Sequence, residues 1–153
     1  MAIQDVQHVV MLYLATILIF IGIFTSAWSV NWRVHNIDVK SGLFKHCVID
    51  HCVDHDGDKT VKGFEMVGGI AAGICCICMT VHQAMKHKSN SVVKSLPKAT
   101  FYLSIAGAGL VFLGCAIYAF DKYGDNIYPG YSFVLALIGG VVLVAAGAAS
   151  SRK

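Results

Sequence analysis

Apolar residues fall into four long runs along the chain, and the segments between the runs carry nearly all of the charge. The runs cover residues 9–28, 66–81, 101–120 and 131–149, and none of them contains Asp, Glu, Lys or Arg. A helix needs about 20 predominantly apolar residues to cross the hydrocarbon of a bilayer. The pattern therefore predicts a single membrane domain, residues 1–153, with an all-α transmembrane fold of four spans.

The segments between the runs are too short for a separate soluble domain, so we expect the four helices to pack as one bundle. The longest segment, 29–65, mixes Val, Ile, Trp and Phe with polar residues, a composition typical of short strands. We therefore predict a small β-sheet in this segment, lying on the bundle. The segments 82–100 and 121–130 are predicted to be short loops.

Small residues predict where the helices approach one another in lipid. Gly69 and Gly73 stand at GxxxG spacing in the second run, and Ala136 and Gly140 stand at the same spacing in the fourth. Such pairs let helix backbones come close together. Because a four-span protein must first pack its own helices, we expect these pairs to act inside the bundle rather than between two molecules.

The composition agrees with lipid as the surroundings of this chain. Of its 153 residues, 56% are hydrophobic and only 14% are charged, and the mean hydropathy is +0.65. An ordinary soluble domain is far less apolar. No strongly basic face of the kind that binds nucleic acid is visible, so membrane lipid is an expected partner and nucleic acid is not.

Basic residues predict the orientation in the membrane. The loop 82–100 carries four lysines and no acidic residue, and Arg152 and Lys153 end the sequence. Basic segments of this kind are kept on the cytoplasmic side. With four spans, the N- and C-termini are then both cytoplasmic, and the loops 29–65 and 121–130 both face outwards.

Two cysteines in the long outer loop, Cys47 and Cys52, form the first candidate site. An outer loop lies in an oxidising compartment, where two thiols so close in sequence are expected to form a disulfide that closes a small loop. Zinc binding is the alternative, because His46, His51 and His55 surround these thiols and mixtures of Cys and His bind zinc when reduced. Outside the cell the disulfide is favoured, so no metal is firmly predicted here.

An acidic stretch after these cysteines places carboxylates at the spacing of an EF-hand calcium loop. Asp54, Asp56, Asp58 and Glu65 occupy ligand positions 1, 3, 5 and 12 of that pattern. Lys59 stands at position 6, where the sharp turn favours glycine. The residues therefore predict at most weak Ca²⁺ binding and no other cofactor, and a solvated acidic linker is the alternative.

Three further cysteines, Cys75, Cys76 and Cys78, lie in the second apolar run. Together with the outer pair, the Cys-x-x-Cys spacing is that of a membrane thiol oxidoreductase, but the run has no charged residue that would activate a thiol. Buried, unreactive cysteines are the expectation, and palmitoylation is the alternative. The absence of ionisable side chains from the runs also predicts that the protein is neither an enzyme nor a proton-coupled transporter.

The outer loop carries, in chain order, Trp32, Gly42, Leu43, Phe44, Cys47 and Cys52. This order and spacing resemble the first outer loop of the superfamily of claudins, peripheral myelin proteins and epithelial membrane proteins, where a Trp, a Gly-Leu-Trp and two cysteines follow one another. Phe44 stands where that family has Trp, and the tail lacks the Tyr-Val ending that claudins offer to scaffold proteins. We call these six residues the signature residues.

The resemblance implies a claudin-like tetraspan, a four-helix bundle with a small extracellular sheet in the first outer loop. It implies a non-enzymatic protein of the plasma membrane and cell junctions that organises cell–cell contacts or paracellular permeability, with itself or other tetraspans as partners. If molecules assemble around a pore, Asp38 and Asp50 are expected to favour cations. The alternative is an auxiliary subunit that modulates an ion channel or receptor in the same membrane, as relatives in the superfamily do.

Overall fold

A computed structural model of the chain describes residues 3–34, 37–48, 51–54, 59–85, 91–122 and 127–151. Within these residues it contains four α-helices and five β-strands. Each helix is long and apolar enough to cross a membrane, which confirms the prediction of a mainly helical chain with four candidate membrane spans. The helices are α1 (Ile3–Phe24), α2 (Lys59–Met85), α3 (Ser91–Lys122) and α4 (Tyr131–Ser151).

Three of the helices begin well before the apolar runs that predict them, and α1 starts at Ile3 rather than at residue 9. α2 starts at Lys59 rather than at residue 66, and α3 starts at Ser91 rather than at residue 101. Helical hydrogen bonds satisfy the backbone where a span leaves the hydrocarbon, so a helix gains by continuing into its polar flank. Glu65 therefore lies inside α2, although it stands just outside the apolar run.

A five-stranded antiparallel sheet lies at the end of the bundle where α1 ends and α2 begins, and we call this end the sheet end. As predicted, the segment between α1 and α2 supplies most of the sheet. The last strand comes from the segment between α3 and α4, for which the sequence predicts only a loop. In spatial order the strands are β4 (His51–Asp54), β3 (Lys45–Val48), β2 (Ile37–Ser41), β1 (Ser29–Val34) and β5 (Ile127–Pro129).

The bundle core joins all four helices. α2 packs along α3, α1 packs along α4, and α3 also packs against α4, with a smaller contact between α1 and α2. Fully buried side chains come from every helix, and large apolar side chains on the outward faces are exposed. Exposed apolar faces suit helices that are surrounded by hydrocarbon. The fully buried residues include Leu12 and Ile19 of α1, Val61 of α2, Val111 of α3 and Leu143 of α4.

Glycines set how closely the helices approach. A Cβ on Gly68 of α2 would lie 2.9 Å from a backbone carbonyl oxygen of α3, so this contact depends on the absence of a side chain. Of the predicted GxxxG pair, Gly69 is buried against α1, whereas Gly73 has open space around its Cα. In α4, Ala136 and Gly140 both lie inside the bundle.

Candidate functional site

An aromatic cluster around Trp28 anchors the sheet on the bundle. Trp28 follows the end of α1 and is completely buried. Its indole ring lies edge-to-face against Tyr118 of α3 and Phe133 of α4, with ring centroids 5.0 and 5.6 Å away. The indole N–H donates a hydrogen bond of 2.6 Å to the backbone oxygen of Gly22. Because the rings come from three segments, the cluster fixes the start of β1 against two helices.

Backbone hydrogen bonds of Trp28 hold the same junction. Its N–H donates to the carbonyl oxygen of Ser41 in β2 at 2.9 Å, and its carbonyl oxygen accepts from the N–H of Gly130 at 2.9 Å. The hydroxyl of Tyr118 donates to the hydroxyl oxygen of Ser29 at 3.1 Å. Strands β1 and β2 are thus tied to α3 and to the start of α4.

The signature residues Gly42, Leu43 and Phe44 form the turn between β2 and β3, and the structure packs this turn against the helices. Leu43 is buried, and a Cβ on Gly42 would lie 2.6 Å from the backbone that follows α1. The Phe44 ring stacks on Phe24 of α1 with centroids 5.8 Å apart, and Nζ of Lys62 lies 5.0 Å from its centre. The turn is therefore a second anchor of the sheet.

The predicted disulfide between Cys47 and Cys52 is present. The two residues face each other in the β3–β4 hairpin with Cα atoms 4.0 Å apart, so the bond closes the hairpin at its middle. The described parts of the chain contain no group of three or more His, Cys, Asp and Glu residues suited to a metal ion. They therefore give no support to the zinc alternative. One of the histidines proposed for zinc, His55, lies outside the described residues.

Of the calcium pattern the structure describes Asp54 and Glu65, and these two residues do not lie in one loop. Asp54 is exposed at the end of β4, whereas Glu65 is completely buried in α2. Asp56 and Asp58 lie outside the described residues. An EF-hand requires the carboxylate at position 12 to face the ion-binding loop, but Glu65 faces α3. Glu65 lies in a helix and not in a loop because α2 begins at Lys59, before the apolar run.

Glu65 occupies a niche on the surface of α3. Its Oε1 atom accepts a hydrogen bond of 3.5 Å from the thiol of Cys115, and its Oε2 atom has no hydrogen-bond partner among the described residues. The space for the carboxyl exists because residue 114 is glycine, where a Cβ would lie 2.6 Å from Oε1. Sequence reasoning missed this site, since the pairing of α2 with α3 decides what Glu65 contacts.

Two of the three cysteines in the second apolar run contact different helices. Cys75 and Cys76 are buried, Cys78 is half-buried, and all three are free thiols. The thiol of Cys75 donates to the backbone oxygen of Thr100 in α3 at 3.7 Å, whereas Sγ of Cys76 lies 3.2 Å from the hydroxyl oxygen of Thr16 in α1. Cys75 and Cys76 thus serve as packing side chains between separate helix pairs.

The signature tryptophan and the anchoring tryptophan are different residues. Trp32 lies in β1, and its side chain lies outside the described residues. Trp28 ends the first apolar run, where an aromatic residue is typical of the membrane interface. Its position at the end of the run was the one feature of the sequence that pointed to Trp28. Its role in anchoring the sheet is seen only from the packing of Tyr118 and Phe133 against its ring.

Comparisons with known proteins do not assign the chain to a family. No protein-family model matches it, and no curated protein matches it. The claudin-like hypothesis therefore depends on the signature residues and on the arrangement of four helices with a sheet at one end.

Proposed function

We propose that the chain is a non-enzymatic, claudin-like tetraspan that organises contacts between cells, or the permeability between them, through its sheet. The proposal includes an extracellular sheet and cytoplasmic termini, an orientation supported by the four lysines between residues 82 and 100. It also places the protein in the plasma membrane at cell junctions. The expected partners are a second copy of the chain and other tetraspans.

The observation that carries the proposal is the open edge of the sheet at β4. Within the described residues β4 is the last strand on its side, and all four of its residues are exposed. Val53 is 68% exposed, and Val48 on the neighbouring strand is 38% exposed. A strand edge with apolar side chains is a template for pairing with another protein. The disulfide joins β4 to β3, and the Trp28 cluster attaches β1, farther along the sheet, to the bundle.

Mixing two populations of cells, one that makes the tagged protein and one that does not, tests this function. We expect enrichment of the protein at borders between two producing cells, compared with borders to non-producing cells. Val53→Lys places a charge on the open edge and is expected to abolish most of this enrichment, because charged edge strands resist pairing. Surface delivery is measured in parallel by labelling of intact cells.

Lys40→Gln, at an exposed position of β2, is the matched control, since it changes a surface residue of the same sheet away from the edge. It is expected to leave the enrichment unchanged. Equal amounts of wild-type protein at all borders, or full enrichment of Val53→Lys, would contradict the proposal.

A feature of α1 favours the auxiliary-subunit function as a second candidate. Its exposed apolar side chains recur at intervals of three and four residues and so form one continuous stripe. Such a stripe fits a neighbouring transmembrane helix of a channel or receptor as well as it fits lipid. A channel or receptor recovered in stoichiometric amount after mild-detergent purification would favour this function, and recovery only with tetraspans would favour the first. The stripe consists of Val10, Leu14, Ile17, Ile21 and Phe24.

A further inference from the structure

A carboxyl group lies completely inside the bundle, and the function proposed above makes no use of it. Glu65 is the only glutamate of the chain and has a relative exposure of 0%. It belongs to α2, whose whole length is a candidate membrane span. Ionisable side chains at such positions are rare and costly in membrane proteins, and they usually mark a function.

The niche that holds Glu65 is built by two adjacent residues of α3. Gly114 leaves room for the carboxyl, and Cys115 directs its thiol to Oε1 at 3.5 Å. Oε2 is equally buried and, within the part of the chain that the structure describes, lacks a hydrogen-bond partner. The niche thus provides one weak donor for a group that has two oxygen atoms.

No cation neutralises this carboxyl among the described residues, in which Glu65 forms no ion pair. Lys62, one turn earlier in α2, places its Nζ 5.0 Å from the centre of the Phe44 ring. On α3 the titratable group that faces Glu65 is Cys115. The helices α1 and α4 carry no acid, lysine or arginine in their described side chains, and their titratable residues there are His8, Tyr13 and Tyr131.

Whether the site binds a proton depends on the free-energy costs of burying the ionised carboxylate and the neutral carboxylic acid. A buried charge without a counter-ion costs far more free energy than a buried hydroxyl without a partner. A proton removes the charge without adding volume, which matters because the niche is closed. We propose that Glu65 is a proton-binding site, held as a neutral carboxylic acid with the Cys115 thiol on Oε1 and the acidic hydrogen on Oε2.

The site couples protonation to helix packing. Loss of the proton would leave a carboxylate against Gly114 and Cys115, and that charge gains solvation only if α2 moves away from α3. Bound proton and closed α2–α3 contact therefore favour each other. This inference does not depend on the contact function, because it concerns the charge of one group in the folded bundle.

Infrared spectroscopy of the folded protein in lipid vesicles tests the proposal without a mutation. Because Glu65 is the only glutamate, cell-free synthesis with glutamate carrying ¹³C in its side-chain carboxyl labels this group alone. At neutral pH we expect the label to shift a C=O stretching band of a protonated carboxylic acid. A label that shifts only the bands of an ionised carboxylate would overturn the proposal.

Two variants assign the band independently. Glu65→Gln keeps the shape and the oxygen that accepts from Cys115, and it is expected to remove the acid band while the S–H stretching band of Cys115 stays in place. Asp121→Asn changes an exposed carboxylate that pairs with Lys122 and is expected to leave the acid band intact. An acid band that persists in Glu65→Gln would also overturn the assignment.

Discussion

Trp28 is the side chain on which the attachment of the sheet depends most. It is completely buried and contacts Tyr118 and Phe133, and its indole N–H is satisfied by the carbonyl oxygen of Gly22. A buried tryptophan is favourable only when this polar group finds a partner. The end of α1 supplies one, because the last carbonyl groups of a helix have no partner within it.

We expect Trp28→Ala to lower the free energy of unfolding by about 3–5 kcal/mol, because it removes a large side chain from a packed cluster. Denaturant unfolding in detergent micelles, followed by circular dichroism, measures the change. Phe120→Ala is the control, since Phe120 is 91% exposed and its loss is expected to change the stability by less than about 0.5 kcal/mol. Equal losses in the two variants would show that Trp28 is no anchor.

At the scale of the elements, the contact between α2 and α3 depends on small residues. The Cβ that Gly68 lacks would lie 2.7 Å from a methyl group of Val111 and 2.9 Å from the carbonyl oxygen of Gly107. A methyl group can rotate away, but a helix carbonyl cannot move without the helix. A side chain at position 68 must therefore push α2 and α3 apart.

Gly68→Ala is expected to destabilise the bundle by about 1–3 kcal/mol through overpacking. Gly73→Ala is the matched control on the same helix, because Gly73 has open space around it. There alanine is expected to be neutral or to stabilise by about 0.5–1 kcal/mol, since glycine costs more conformational entropy in a helix. Thermal unfolding in the same detergent measures both, and an equal effect of the two substitutions would refute this packing argument.

For the whole molecule, the sheet unites the two loops at one end of the bundle. β5, from the segment between α3 and α4, pairs with β1, from the segment between α1 and α2. The sheet is therefore connected through the chain to the ends of all four helices. If molecules assemble through their sheets around a pore, the charges of the sheet face the permeating ions.

Replacing both Asp38 and Asp50 with asparagine is expected to reduce the preference of the paracellular path for cations, because acidic groups beside a pore attract them. Asp38 lies in β2, its side chain lies outside the described residues, and Asp50 lies outside them entirely. Dilution potentials across epithelial monolayers that produce the protein measure the preference. Lys40→Gln, which changes a basic residue of β2, serves as a charge control expected to leave cation preference undiminished. A preference unchanged in the double variant would contradict a pore lined by this loop.

The disulfide and the four candidate spans could be predicted because each depends on neighbours in sequence. Cys47 and Cys52 belong to a single hairpin, and a span needs only an uninterrupted apolar run. The sequence also singles out Gly42, Leu43 and Phe44, as part of a resemblance to a family signature, but it does not predict the turn that they form. Its contacts with α1 and Lys62 were not predicted, because they join segments that are distant in the chain.

The sequence by itself determined the four candidate membrane spans, since hydrocarbon tolerates long apolar helices and little else. Only the tertiary structure decided the pairing of β5 with β1, the burial of Trp28 at the anchor, and the environment of Glu65. The physical reason is the same in each case. A side chain's burial depends on which face of another element lies opposite, and that is settled when the helices and strands pack together.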